Sequence, residues 1–140
     1  MMTMQANSAT NGDMGNKGLK IFFDGGCRPN PGQIETAVVA RGVTYHRPDC
    51  GYGTNNDAEW LALIHAVEVA TIIGAPDIVL LGDSVVVVGQ ASGVAKCRSH
   101  ELRAHLEKFQ NLARKFQRIR IRRISRNQNL AGIALARTRL

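Results

Sequence analysis

The amino-acid sequence predicts an α/β domain with a mixed β-sheet, and three patterns lead to this prediction. Short apolar runs that end at turn residues are typical of strands, and apolar residues that recur at helical spacing predict helices between them. These elements follow the order β-β-β-α-β-α-α-β-α, which is typical of a sheet covered by helices. The chain has 140 residues, of which 44% are hydrophobic, enough for one domain to bury a core without disulfides or metals.

Three strands are predicted at the start. Residues 19–23 form an apolar run that we expect to stop at Asp24, because two glycines follow it and indicate a turn. After a polar loop, residues 34–40 and 43–46 are predicted to form a hairpin around Arg41-Gly42.

A long helix is predicted over residues 57–73. Its apolar residues recur at helical spacing, its first turn is acidic, as the helix dipole favours, and Gly74 ends it. Residues 78–81 then form an apolar run expected of a buried strand. Residues 85–90 contain four valines that also fit a strand, but their place after Asp83-Ser84 favours a short capped helix.

The remaining elements are a helix over residues 99–116, a strand near residues 119–123 and a last helix over residues 128–137. In the strand, isoleucines alternate with Arg118, Arg120 and Arg122, which would form a row of charge on one face. This row fits either a contact with phosphates or a solvated face.

The N-terminal residues, the lack of long apolar runs and the cysteine spacing indicate where in the cell the protein is expected. Residues 1–18 are rich in Asn, Gly, Met and Ser and are expected to form a disordered tail before a domain over residues 19–140. The sequence has neither a signal-peptide pattern nor an apolar run approaching the roughly 20 residues of a membrane span. Cys27, Cys50 and Cys97 include no close pair, which favours a reducing, cytoplasmic location.

Charge is unevenly distributed along the chain. Residues 1–95 hold five Lys and Arg against nine Asp and Glu, whereas residues 96–140 hold thirteen against two. A basic half of this kind suits a polyanionic partner, and it equally suits a solvated basic surface.

Three acids occupy informative places: Asp24 after the first strand, Glu59 in the first turn of the long helix and Asp83 after the next strand. Each alone could be a turn, cap or solvated residue. Together they are expected at the crevice beside the strand ends, where converging carboxylates repel one another unless a cation lies between them. Oxygen ligands suit magnesium or manganese, and two such ions can assist hydrolysis of a phosphodiester.

These acids lie in three motifs that follow one another in a fixed order. The motifs are Asp24-Gly25-Gly26-Cys27-Arg28-Pro29-Asn30, Thr54-Asn55-Asn56-Asp57-Ala58-Glu59 and Gly82-Asp83-Ser84. They resemble the motifs of type 1 ribonuclease H, and the resemblance extends over about residues 19–137. It implies a ribonuclease H-like fold with a five-stranded mixed sheet flanked by helices, in the compact form that lacks a basic protrusion before Ser99.

The resemblance also implies a function, which is metal-dependent cleavage of the RNA strand in RNA/DNA hybrids. Asp24, Glu59 and Asp83 would hold Mg²⁺ or Mn²⁺ in a two-metal site, with Asp24 shared by both ions. The positions that would contact the hybrid are Gly25, Cys27, Arg28, Asn30, Thr54, Asn55, Asn56 and Arg126. Several of these match positions in the minor groove, where 2′-hydroxyls distinguish RNA from DNA.

The sequence departs from the family at the fourth carboxylate. The pattern after Asn129 places Ile133 there, and no Asp or Glu follows Glu107. We therefore expect an attenuated or manganese-preferring nuclease, with an amide oxygen of Asn129 or Gln128 as a conceivable replacement ligand. The alternatives are a non-catalytic protein that binds hybrids or double strands, and a nuclease of this fold acting on another nucleic acid.

Overall fold

The computed structural model describes residues 18–139, and it has the predicted α/β fold. Apart from Gly18, the tail predicted over residues 1–18 lies outside the described residues. The strands are β1 (Leu19–Arg28), β2 (Gly32–Ala40), β3 (Val43–Arg47), β4 (Tyr52–Gly53), β5 (Asp77–Gly82) and β6 (Arg118–Arg123). The helices are α1 (Asn55–Ile73), α2 (Val85–Ala91), α3 (His100–Ala113) and α4 (Leu130–Arg137).

The sheet is mixed, as predicted, with the strand order β3-β2-β1-β5-β6. Strands β1, β2 and β3 pair antiparallel, whereas β1, β5 and β6 pair parallel. The described residues add a sixth strand to the five expected, because β4 pairs with β2. Since β4 has only two residues, it has no alternating pattern that the sequence could reveal.

The predicted end of the first strand at Asp24 is wrong. Pairing of β1 with β5 stops at Phe22 opposite Leu81, but pairing with β2 continues to Arg28 opposite Gln33. The glycines after Asp24 therefore continue a strand instead of forming a turn. Asp24 still lies at a crevice, because β1 has separated from β5 at this point.

The hairpin between β2 and β3 is confirmed, and Arg41 and Gly42 have φ values of 55° and 75°. A two-residue turn of this kind needs positive φ at both positions. Helix α1 begins two residues earlier than expected, at Asn55. Its N-cap Thr54 forms a capping box with Asp57, in which each accepts a hydrogen bond from the backbone of the other.

The later helices also differ from the prediction in their bounds. Helix α2 is confirmed, capped by the Ser84 hydroxyl, which accepts from Val87 N at 3.1 Å. Helix α3 ends at Ala113, short of the expected residue 116. The predicted last helix begins at Leu130 instead of residue 128, and a separate 3₁₀ turn, Arg126–Gln128, precedes its N-cap Asn129.

The main core lies between α1 and one face of the sheet. Trp60 is fully buried there, its indole N–H donates to Gln90 Oε1 at 3.1 Å, and its ring lies 6.2 Å from that of Phe109. Trp60 is thus a core residue. On the opposite face α4 packs Ala131 and Leu135 against β2.

The arginines of β6 do not form a continuous row. Arg118 and Arg122 are exposed, whereas Arg120 is mostly covered and forms an ion pair with Asp77 at 3.3 Å. Within the described part of the chain, no helix combines the length and the apolar character needed to cross a membrane.

Candidate active site

The structure brings the three predicted carboxylates together. Asp24 comes from β1, Glu59 from the start of α1, and Asp83 directly follows β5. One carboxylate oxygen of each lies within 4.8 Å of one from both others. The cluster forms because the ends of three separate elements meet where β1 leaves β5.

Glycine at position 25 allows α1 to lie directly against β1. A Cβ atom at Gly25 would collide with the backbone carbonyl oxygen of Ala58, which cannot move without displacing the helix. The backbone N–H of Gly25 also donates to Glu59 Oε1 at 3.1 Å. The glycine therefore both admits the helix and orients the glutamate that the helix carries.

Asn129 orients the third carboxylate from the other side. It is fully buried, and its amide nitrogen donates to Asp83 Oδ2 at 2.9 Å and to the carbonyl oxygen of Phe23 at 3.0 Å. Its amide oxygen accepts from Ala131 N at 3.1 Å and so caps α4. The amide oxygen of Gln128 likewise accepts from Ser125 N at 3.3 Å. Both oxygens considered as replacement ligands are therefore engaged in capping turns.

The carboxylates repel one another at this spacing. Burial raises the pKa of Glu59 to about 9, and the charges of Asp24 and Asp83 contribute. Burial and Asp83 also raise the pKa of Asp24 to about 6, against the opposing charges of Arg126 and Arg139. All three can ionise at neutral pH only if a cation compensates them. An all-oxygen donor set of this charge fits a hard divalent ion such as Mg²⁺ or Mn²⁺.

The carboxylates line a cavity of about 500 Å³. Gly25, Asn55 and Arg126, three of the predicted substrate-binding residues, also line it. Beside them the cavity wall includes Ile133 from α4 and Arg139. The cavity lining therefore combines three acidic side chains with two arginines.

A second group of predicted binding residues lies beside this cavity. Cys27 N donates to Asn55 Oδ1 at 3.3 Å, and Asn55 N donates to Asn30 Oδ1 at 3.1 Å. These bonds join the end of β1 and its loop to the start of α1. Cys27 is buried and its thiol lies 3.3 Å from Asn55 Oδ1, so it supports the exposed Asn55 from inside the fold instead of presenting its own side chain to a ligand.

The remaining predicted binding residues lie in neighbouring grooves. Thr54 and Asn56 line one between the N-termini of α1 and α3. Arg28 lines another of about 240 Å³, next to Glu35 and Arg139. The structure thus distributes the predicted set over three adjoining surfaces around the carboxylates.

Comparison with known proteins gives the family. Residues 22–139 match the family model described as reverse transcriptase-like. A curated ribonuclease HI from Halobacterium salinarum is 35% identical over 123 residues, which are 84% of this chain and 62% of that protein. The crystal structure of RNase H1 from the same archaeon has a TM-score of 0.79 at 31% identity, over 85% of this chain and 94% of that one. The chain belongs to the type 1 ribonuclease H family.

A second solved ribonuclease H structure that is similar to this chain contains a bound nucleic acid. LC11-RNase H1 in complex with an RNA/DNA hybrid has a TM-score of 0.75 at 28% identity, over 84% of this chain and 92% of that one. The chain spans less than two thirds of the length of the curated halobacterial relative.

Within the ribonuclease H pattern, Ile133 is the departure, and the structure places it in the cavity wall. Its side chain is 40% exposed, so it is not held there by burial in the core. The preceding residue, Gly132, is so close that a Cβ atom on it would lie 3.4 Å from Asp24 Oδ2. The α4 side of the ribonuclease H site is therefore apolar.

Sequence reasoning missed Arg139. It lines the cavity, and its Nε donates to Glu35 Oε1 at 2.9 Å. The two residues are 104 positions apart, and no motif includes either, so the basic composition of the C-terminal half was the only signal.

Proposed function

We propose that the chain is a metal-dependent endonuclease that cleaves the RNA strand of RNA/DNA hybrids. The observation that carries this proposal is the cluster of Asp24, Glu59 and Asp83, with oxygens within 4.8 Å of one another at a cavity. The curated relative named ribonuclease HI and the relative solved with a bound hybrid support the substrate class.

The three carboxylates would hold Mg²⁺ or Mn²⁺. Such ions, when bound, supply the positive charge that activates a water and stabilises the leaving oxygen of a phosphodiester. The chain contributes fixed geometry: the N–H of Gly25 orients Glu59, and the amide of Asn129 orients Asp83. Preorganised groups of this kind avoid reorganisation during the reaction.

Recognition of the hybrid is assigned to the residues around the cavity. Asn30 and Asn55 are exposed and are held by hydrogen bonds that also involve the buried Cys27, and they present small polar groups suited to 2′-hydroxyls and base edges of a minor groove. Thr54 and Arg28, in the flanking grooves, suit phosphates of the two strands.

Ile133 is expected to attenuate the enzyme. Isoleucine cannot ligate a cation, so on the side of the cavity that faces α4 the chain would offer one carboxylate fewer to an ion that activates water. Removal of one preorganised charge at a reacting centre lowers rates by roughly 100-fold or more. We therefore propose slow turnover in Mg²⁺ and a preference for Mn²⁺, in a reducing, cytoplasmic location suggested by three free cysteines.

The test is cleavage of an RNA/DNA hybrid labelled on the RNA strand, in Mg²⁺ and separately in Mn²⁺. An Asp24→Asn variant serves as the matched control, because it removes one charge and retains the shape of the side chain. RNA cleavage by the native chain that disappears in the variant is the expected result.

The second candidate is a non-catalytic hybrid-binding protein, and Ile133 is the observation that favours it. Three mutually repelling acids in one cavity weigh against it, because binding of a polyanion gains nothing from them. Tight binding of the hybrid without cleavage in either metal would overturn the nuclease and support the binding protein.

A further inference from the structure

Arg139 lines the cavity, and the proposed chemistry gives it no role. It lies two residues beyond the end of α4 at Arg137, and it lines the same cavity as Asp24 and Ile133. Its side chain is 26% exposed, so the guanidinium is largely fixed and still reachable from the cavity.

Two contacts fix the orientation of Arg139. The Nε atom donates to Glu35 Oε1 at 2.9 Å, which ties the residue to β2. The Nη2 atom lies over Gly26, at 2.9 Å from the place where a Cβ atom would be. Gly26 precedes Cys27 and itself lines the cavity. The Nη2 end of the guanidinium thus lies over the strand that carries Asp24.

A phosphate that enters the cavity needs a positive charge near Arg139 to offset the three carboxylates. Asp24, Glu59 and Asp83 repel an incoming phosphate, and Ile133 removes the ligand for a second metal ion from the α4 wall. Within the described residues, Arg126 and Arg139 supply the positive charge of the lining. A guanidinium binds phosphate through two parallel N–H donors, and the pairing of Nε with Glu35 leaves the Nη groups to do so.

Arg139 also joins the site to the adjoining groove. It lines both the main cavity and the groove of about 240 Å³ that holds Arg28. A nucleic-acid strand that leaves the carboxylates in this direction passes Arg139 before it reaches Arg28.

We propose that Arg139 is a substrate-binding residue that holds a phosphate of the RNA strand, on the side of the site where the family carries its fourth carboxylate. This inference rests on the proposed function. It assigns to a fixed guanidinium part of the charge that a second metal ion would otherwise supply.

The test measures binding of a fluorescent RNA/DNA hybrid by anisotropy at several salt concentrations, with Ca²⁺ as the divalent ion. Three variants are compared with the native chain: Arg139→Gln, Glu35→Gln and, as a matched control, Arg137→Gln. Arg137 is exposed, lies two residues away and does not line the cavity. Thermal unfolding of each variant shows that it is folded.

Loss of one phosphate contact in Arg139→Gln should weaken binding roughly fivefold and lower the slope of log K against log salt by about 0.7 to 0.9. Glu35→Gln removes one negative charge but keeps an amide oxygen that can accept from Arg139 Nε and so hold the guanidinium in place. This variant should therefore bind as tightly as the native chain or more tightly. Arg137→Gln should retain the native slope.

A purely structural ion pair predicts a different result. In that case Glu35→Gln weakens binding as much as Arg139→Gln does, and this outcome overturns the inference. A native salt slope in Arg139→Gln overturns it as well, and leaves the nuclease proposal standing. Failure of the native chain to bind the hybrid would instead overturn both.

Discussion

The amide nitrogen of Asn129 lies 2.9 Å from Oδ2 of Asp83, and this hydrogen bond connects the start of α4 to the end of β5. The same buried side chain bonds the carbonyl oxygen of Phe23, one residue before Asp24. One asparagine therefore sets the relative positions of two of the three carboxylates.

We expect Asn129→Ala to lower the free energy of unfolding by about 2–4 kcal/mol, from the lost helix cap and the unsatisfied carbonyl of Phe23. Urea unfolding measures the change. Asn111 is exposed on α3, so Asn111→Ala should change stability by less than about 0.5 kcal/mol. Equal effects of the two substitutions would contradict the role of Asn129.

Restoring the fourth carboxylate should raise activity. Ile133→Asp places an anionic ligand in the cavity wall at small cost in stability, since the isoleucine is 40% exposed. We expect the rate of RNA cleavage in Mg²⁺ to increase by roughly 100-fold.

Two variants are controls for that experiment. Ile133→Asn introduces a side chain with the shape of aspartate but without its charge. Leu130→Asp adds an acid to an exposed position of α4 outside the cavity lining. Neither should increase the rate. An unchanged rate in Ile133→Asp would show that the missing ligand does not limit the enzyme.

Metal affinity should rise with pH. The pKa values of Asp24 and Glu59 are raised to about 6 and about 9, so both carboxyls bind protons more strongly than in the unfolded chain, and a divalent ion must displace those protons. The stability that these protons contribute is present below about pH 4 and is lost as pH rises through the folded-state values.

Consequently, Mn²⁺ should raise the thermal midpoint more at pH 8 than at pH 5.5, and calorimetry in two buffers should detect proton release on binding. In Glu59→Gln, proton release above pH 7 should be absent. Mn²⁺ affinity that stays constant from pH 5.5 to 8.5 in the native chain would refute the assignment.

His65 should make the fold sensitive to acid. Burial lowers the pKa of its imidazole from 6.5 to about 4, with the charge of Arg47 contributing, and Nδ1 lies 2.8 Å from the Thr36 hydroxyl. Between these two values the unfolded chain binds a proton that the folded chain does not, so stability falls as pH decreases from 6.5 toward 4.

The measurement is the free energy of unfolding in urea at pH 4.5, 5.5 and 6.5. His65→Gln should reduce the loss of stability over this range relative to the native chain, whereas substitution of the exposed His100 by Gln should not. If His65→Gln keeps the native pH dependence, another group is responsible.

The sequence alone determined the elements with strong local patterns. The spacing of apolar residues in α1, the capping side chain of Ser84 before α2 and the turn Arg41-Gly42 act over a few residues, so a linear pattern reveals them. The three carboxylates were predicted for the same reason, since each lies in a compact motif. The sequence also showed that Ile133 occupies the fourth position.

Only the tertiary structure decided what depends on contacts between distant residues. The course of β1 beyond Asp24 is set by its pairing with β2, which no turn signal at Gly25-Gly26 reveals. Asn129 reaches Phe23 across 106 positions, and Arg139 reaches Glu35 across 104. Hydrogen bonds and ion pairs of this kind depend on where the folded sheet and α4 place the atoms, because no local pattern around either residue identifies its distant partner.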